Sequence, residues 1–204
     1  MKRKHLLSKL SFNNFSSMNV VHREQWNDVM IASVNGKISQ LQQLLDQGAN
    51  VSAMNSSGET AFSLATSKSH LDCMSLLLKA GADINAFDAS GETALMRATK
   101  NNDKAMMILL LDKNADVHIT NDLSRSAIVL AIEADFDDIA MQLVAKAAYD
   151  GVMGSNCDTP LVLAIENDKP LVAMALIANG ANFETVDRHG HTPLIMSLNQ
   201  SMRQ

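Results

Sequence analysis

The chain has 204 residues, 47% apolar but only 4% aromatic, with nine Gly, three Pro and thirteen Met. That excludes disorder for the bulk of the chain, which would need low hydrophobicity with high net charge, and it excludes collagen-like and linker-like sequence. The net charge of −5 divides into +4 over residues 1–20 and −9 over the remainder (13 basic, 22 acidic), a poor balance for a general nucleic-acid binder.

Residues 1–20 carry Lys2, Arg3, Lys4 and Lys9 and no acid. Ser8, Lys9, Ser11 and Asn13 interrupt any apolar stretch, so the uninterrupted apolar region of a secretory signal, about 7–15 residues, is missing. The segment shares its lack of acids with transit peptides, but a flexible basic tail is the plainer reading. Further along, the longest apolar run is the eight residues Leu171–Ala178, against about 20 for a spanning helix, so no membrane span is expected. Two cysteines, Cys73 and Cys157, make no disulfide framework, and no CxxC is present. A reducing, intracellular compartment fits this usage, with the cytoplasm expected.

Residues 21–204 are organised by a period of 33. Gly58-Glu59-Thr60-Ala61 recurs as Gly91-Glu92-Thr93-Ala94, then as Ser124-Arg125-Ser126-Ala127, Cys157-Asp158-Thr159-Pro160 and Gly190-His191-Thr192-Pro193. One step back gives Gln25-Trp26-Asn27-Asp28. The columns Ala32, Ala65, Ala98, Ala131, Ala164 and Leu44, Leu77, Leu110, Leu143, Leu176 keep register without insertion. Repeats fall near 22–54, 55–87, 88–120, 121–153 and 154–186, with a partial sixth at 187–204.

Each column has a physical meaning. Asn55, Asp88, Asn121 and Asp187 stand three residues before the Gly column, an Asx-to-Gly spacing that predicts a type I turn. Thr60, Thr93, Ser126, Thr159 and Thr192 are helix N-caps, and Pro160 and Pro193 occupy the following position, where no N–H is needed. A helix of about two turns should follow each cap, with Leu95, Leu161 or Leu194 and the Ala column on its packed face. Gly36, Ser69, Asn102, Asp135 and Asp168 break it. A second helix runs through segments such as Met106–Leu111 and Leu171–Ile177. It stops at Gly48, Gly81, Asn114 and Gly180, residues suited to a left-handed C′ position.

In these motifs (GETAFSLA…LLLKAGAD, GETALMRA…LLLDKNAD, DTPLVLA…LIANGAN and HTPLIMS) the chain resembles the ankyrin repeat family from about residue 20 to 204. The resemblance implies an all-α repeat solenoid of stacked helix–turn–helix units, with β-turn fingers projecting beside the inner helices. The family His after the Pro-Leu pair is absent: Ser63, Met96, Val129, Val162 and Ile195 hold its place. The ties it makes between finger turns are therefore not expected. The fourth repeat departs further, with Ala147 where the C′ Gly is expected. Left-handed geometry there would cost about 1–2 kcal/mol, so residues 147–157 are expected to form an irregular, soft finger. Polar Gln25, Asn27, Asp28, Gln40, Gln42 and Gln43 suit an N-terminal cap.

No catalytic constellation emerges, so an enzyme is not expected and no cofactor is implied. Cys157 replaces a turn residue and lacks a His base. Cys73 shares a column with Met106, Ile139 and Val172 and should be core. His189 and His191 supply two ligands where zinc needs three or four, so no metal site is expected. Met74 with Met107, and Met141 with Met174, are read as two buried columns.

The candidate contact residues lie on the fingers. Met54, Phe87, Met153 and Val186 stand four residues before the Gly column, with Thr120 completing the row. The resemblance places that limb on the concave, solvent-facing side. Trp26, Glu59, Glu92, Arg125, Asp158 and His191 follow one residue after the Gly column, and Lys100 belongs to the inner-helix positions nine to ten residues after it. Their signs are mixed and favour no class of partner. The reading is a non-catalytic protein–protein interaction module, expected to be a monomer, with a protein partner on the concave face. An adaptor or targeting subunit of an enzyme complex, or a bacterial effector delivered into a host cell, stands as the alternative.

Overall fold

The computed structural model describes residues 26–147, 159–187 and 189–201, with side chains to residue 198. Its helices come in pairs that recur every 33 residues: α1 (Asp28–Val34) and α2 (Ile38–Asp46), α3 (Ala61–Ser67) and α4 (Leu71–Lys79), α5 (Ala94–Lys100) and α6 (Lys104–Asp112). They continue as α7 (Ala127–Glu133) and α8 (Asp137–Lys146), α9 (Pro160–Glu166) and α10 (Pro170–Ala178), then α11 (Pro193–Ser201). Odd helices pack on odd and even on even, giving two helical layers. Among the described residues β-structure is limited to isolated bridges in three fingers: Met54 with Thr60, Phe87 with Thr93 and Thr120 with Ser126.

The caps start the helices as their chemistry requires. Asn27 accepts from the Met30 N–H (2.9 Å), Thr60 from Ser63 (3.2 Å), Thr93 from Met96 (3.3 Å), Ser126 from Val129 (3.5 Å) and Thr159 from Val162 (3.2 Å). Ser63 also accepts from the Thr60 N–H at 3.0 Å, closing a capping box. The inner helices end where expected: Gly36, Ser69, Asn102, Asp135 and Asp168 all take positive φ, between 52° and 65°. The next residue then donates back to the Ala column, from Lys37 to Ala32 (2.9 Å) through Lys169 to Ala164 (2.8 Å). Those five Ala are fully buried. A methyl group is what two closely approaching helices can admit there.

Ala147 behaves otherwise than the sequence leads one to expect. Gly81 ends α4 with φ +90°, and Ala82 donates to the Leu77 carbonyl at 2.9 Å. Ala147 ends α8 in extended backbone, φ −80° and ψ 108°, after a helix of ten residues instead of nine. Lacking Gly, the chain adds a helical residue and keeps Ala147 out of the left-handed region. Ala147 itself is buried. The rest of the expected irregular finger, with Met153, Cys157 and Asp158, lies outside the described residues, as do residues 1–25.

Two readings of apolar columns need correction. Met74 and Met107 are fully buried, but Met141 and Met174 are 39% and 66% exposed. They belong one column further on, with Ser75 and exposed Ile108, on the outer side of the even helices, while Ala140 and Ala173 continue the buried column. Leu194 is 70% exposed, whereas Leu95 and Leu161 are buried, because no described helix lies on the far side of α11. Cys73, Met106, Ile139 and Val172 are core as expected, and burial pushes the Cys73 thiol pKa up.

Candidate partner-binding face

Each finger is held by its Asx residue. Asp88 accepts from the N–H groups of Ser90 (2.8 Å) and Glu92 (3.1 Å), while its own N–H reaches the Glu92 carbonyl at 2.9 Å. Asn55, Asn121 and Asp187 repeat the arrangement. Adjacent fingers are tied where Asp116 N–H donates to Asn85 Oδ1 at 3.0 Å. They also nest closely, since a Cβ on Gly91 would stand 3.1 Å from the Asp122 carboxylate. These bonds fix the turns in a chain that lacks the family His. His70, between α3 and α4, instead donates from Nε2 to the Val34 carbonyl of the preceding repeat (3.2 Å).

The finger row is open to solvent. Met54 is 67% exposed, Phe87 47% and Val186 41%, with Thr120 exposed between them. Sequence reasoning missed Leu123, 69% exposed at the tip of the Asn121 finger. The signal was available: its column holds Ser57, Ser90, Asn156 and His189, so a Leu there is the single apolar side chain in a polar turn position.

The mixed charges resolve into pairs within repeats. Glu92, on the finger, is buried and accepts from Lys100 of α5 at 2.8 Å. In the next repeat the signs exchange: Arg125 on the finger meets Glu133 of α7 at 3.0 Å, in the same two columns. Arg97 adds a second tie from α5, its Nε donating to Asp88 at 3.0 Å. Glu59 accepts from the Asn55 amide (2.9 Å), and His191 Nδ1 lies 3.2 Å from Asp187 Oδ2. Glu92, Lys100 and Arg125 therefore latch fingers to inner helices, which explains why their signs encode no partner. Trp26 is half-buried and packs against the core beside the α1 cap.

The Asp187 carboxyl is pulled in opposite directions. Burial raises its pKa, but the N–H groups of His191 and His189 and the His191 ring lower it further, leaving it below the ordinary 3.8. At the repeat junctions, Asp138 is lowered chiefly by its hydrogen bond from Lys104. Lys169 bridges to Asp135 and to Asp137 (3.1 Å), and Ser69 donates to Asp103 at 3.0 Å, so the hairpin turns are laced from one repeat to the next. Among the described residues no group of three or more His, Cys, Asp or Glu is placed to hold a metal ion, and no helix is long and apolar enough to cross a membrane.

Paired helices at a period of 33, Asx-held fingers and capped inner helices define an ankyrin repeat fold. Residues 29–121 match the family model for ankyrin repeats, in three copies. A solved ankyrin repeat domain from Acinetobacter baumannii AYE is similar over 86% of this chain and 92% of its own, with 25% identity and a TM-score of 0.71. No curated protein matches the sequence. Ankyrin repeats are in general protein–protein interaction modules and typically non-catalytic.

Proposed function

We propose that residues 21–204 act as one non-catalytic interaction module that holds a protein partner against the finger row, with Met54, Phe87, Leu123 and Val186 as its apolar contacts. Met153 extends the column of Met54 and Phe87, and Asp158 that of Glu59 and His191. The observation that supports this is the exposure of large apolar side chains, 67% at Met54 and 47% at Phe87, at the same point of successive fingers. Exposed apolar patches mark interaction surfaces, and this row recurs on successive fingers. The Asx turns and the Glu92–Lys100 and Arg125–Glu133 pairs preorganise that surface, so little ordering entropy opposes binding. Lys100 keeps half of its side chain exposed, and with Trp26, Glu59 and His191 it can border the contact.

Affinity capture from lysate with the wild type and a Met54→Ser/Phe87→Ser variant tests the reading. Both side chains are exposed, so the variant should fold and melt like the wild type. It should lose at least one protein that the wild type retains reproducibly. Identical captured sets would contradict the finger row as the binding surface.

A further inference from the structure

The fold sorts the methionine thioethers into two environments. Met30, Met74, Met96, Met106 and Met107 are at most 1% exposed, threaded through the core of successive repeats. Met54 is 67% exposed, and Met141 and Met174 stand in water on the outer side of the even helices. Of these three, Met54 is the one on the finger row. Its exposure is not that of a chain end, because α1 and α2 precede its finger and the Phe87 finger follows it. Its backbone is fixed: Met54 bridges to Thr60, and the Asn55 N–H donates to the Glu59 carbonyl at 3.0 Å. What the fold leaves open is the side chain.

We propose that Met54 is a reversible oxidation site that switches the finger row, with a peroxide as the oxidant. The inference rests on that row being the contact surface. A thioether is soft and apolar, whereas its sulfoxide is polar and chiral and disrupts contacts built on Met. The step balances with the peroxide alone. A sulfur lone pair attacks one oxygen of hydrogen peroxide, so that an S–O bond forms as the O–O bond breaks. Sulfur gives up two electrons and the peroxide is reduced. The departing hydroxide takes the proton left on the transferred oxygen and leaves as water. Thiol-dependent reductases reverse the change, releasing the oxygen as water while two thiols become a disulfide.

Three features direct the oxidant to this site. The five core sulfurs present no surface to a peroxide unless a repeat opens, so mild oxidation alters the surface without disturbing the core. The described cysteine is a poor rival: Cys73 is buried in α4, and burial and Asp72 push its thiol pKa up, away from the reactive thiolate. Along the row itself, Phe87, Thr120 and Val186 carry no group that dilute peroxide converts, so Met54 is the described member that responds. Met141 and Met174 are open to oxidation too, but they sit on α8 and α10 and not on the fingers. They serve as internal controls.

The test treats the folded full chain with dilute hydrogen peroxide and maps its peptides by mass spectrometry. Met54 should gain the mass of one oxygen atom while Met74 and Met107 stay unmodified, and the treated chain should melt like the untreated one. Oxidation of Met54 no faster than that of Met107 overturns the site. Capture from lysate is then compared, treated against untreated, for the wild type, Met54→Leu and Met141→Leu/Met174→Leu. A protein that Met54→Ser/Phe87→Ser loses should also be lost by the treated wild type and by treated Met141→Leu/Met174→Leu. The two methionine sulfoxide reductases with dithiothreitol, one enzyme per sulfoxide epimer, should restore it to the wild type. Treated Met54→Leu should hold as much of it as the same variant untreated. An equal loss in Met54→Leu overturns the inference, as does a fully oxidised wild type that keeps the protein. That last outcome leaves the finger row standing, whereas a Met54→Ser/Phe87→Ser variant that captures everything the wild type does removes the row itself.

Discussion

Leu95 in α5 and Leu194 in α11 occupy the same column three periods apart, yet one is 1% exposed and the other 70%. Both follow a Thr at the start of an inner-helix segment in the same register. What differs is the neighbour: α5 has helices on both sides, and α11 has a described helix on one. In a stack whose repeats touch only their neighbours, the period decides which residues face along the axis, and the occupant of the next position decides which of them are core.

The strongest way to break this comparison is to delete the same side chain in both places. Leu95→Ala should cost about 2–5 kcal/mol, through lost burial and a cavity, whereas Leu194→Ala in dilute solution should stay within about 0.5 kcal/mol. Urea unfolding of the two variants reads the difference directly. Equal losses would mean that α11 is covered in the isolated chain.

The ends of α4 and α8 sharpen the same lesson for backbone. Gly81 sits at φ +90°, so Gly81→Ala should destabilise by about 1–2 kcal/mol despite having open space for a Cβ. Thr93→Ala removes the α5 cap and should cost about 1 kcal/mol in thermal unfolding. At Ala147 the sign carries the information. With φ −80° there is no strain to relieve, so Ala147→Gly should lose about 0.5–1 kcal/mol through greater freedom of the unfolded chain. A gain in stability would instead show that Ala147 is held left-handed.

The smallest effect concerns the Asp187 finger. Its folded pKa lies below the ordinary 3.8, so the stability it contributes is complete above that value and is lost as pH falls through the depressed folded one. Asn55 and Asn121 hold the equivalent turns, so Asp187→Asn should keep the finger and abolish this dependence. The wild-type lead in melting temperature over the variant should narrow only below about pH 4. A lead that is unchanged down through that range would contradict the assignment to Asp187.

The fold was legible in the sequence because its signals are local and repeated. Thr and Ser caps, Asx turns, Ala contacts and left-handed stops each appear several times at fixed spacing, so tertiary context had little to override. Met141 and Met174 show where legibility ended: near the wall of an even helix, one residue separates a buried column from an exposed one, and both tolerate Met. The candidate site was legible in its apolar row. It was not legible in its charges, since Glu92 with Lys100 and Arg125 with Glu133 look like surface signs until their eight-residue spacing is seen to bridge finger and helix. The exposure of Leu171, Met174 and Leu194 was missed because apolar helix residues read as core until a structure shows them in water.

The central claim is that the fingers, and not the α10–α11 face, take the protein partner. Quantitative capture run in parallel with the wild type, Met54→Ser/Phe87→Ser and Leu171→Asp/Met174→Gln tests it most directly. The account predicts that a partner held by the wild type is lost by the first variant and kept by the second. Loss in the second with retention in the first would contradict it and move the binding surface to α10 and α11.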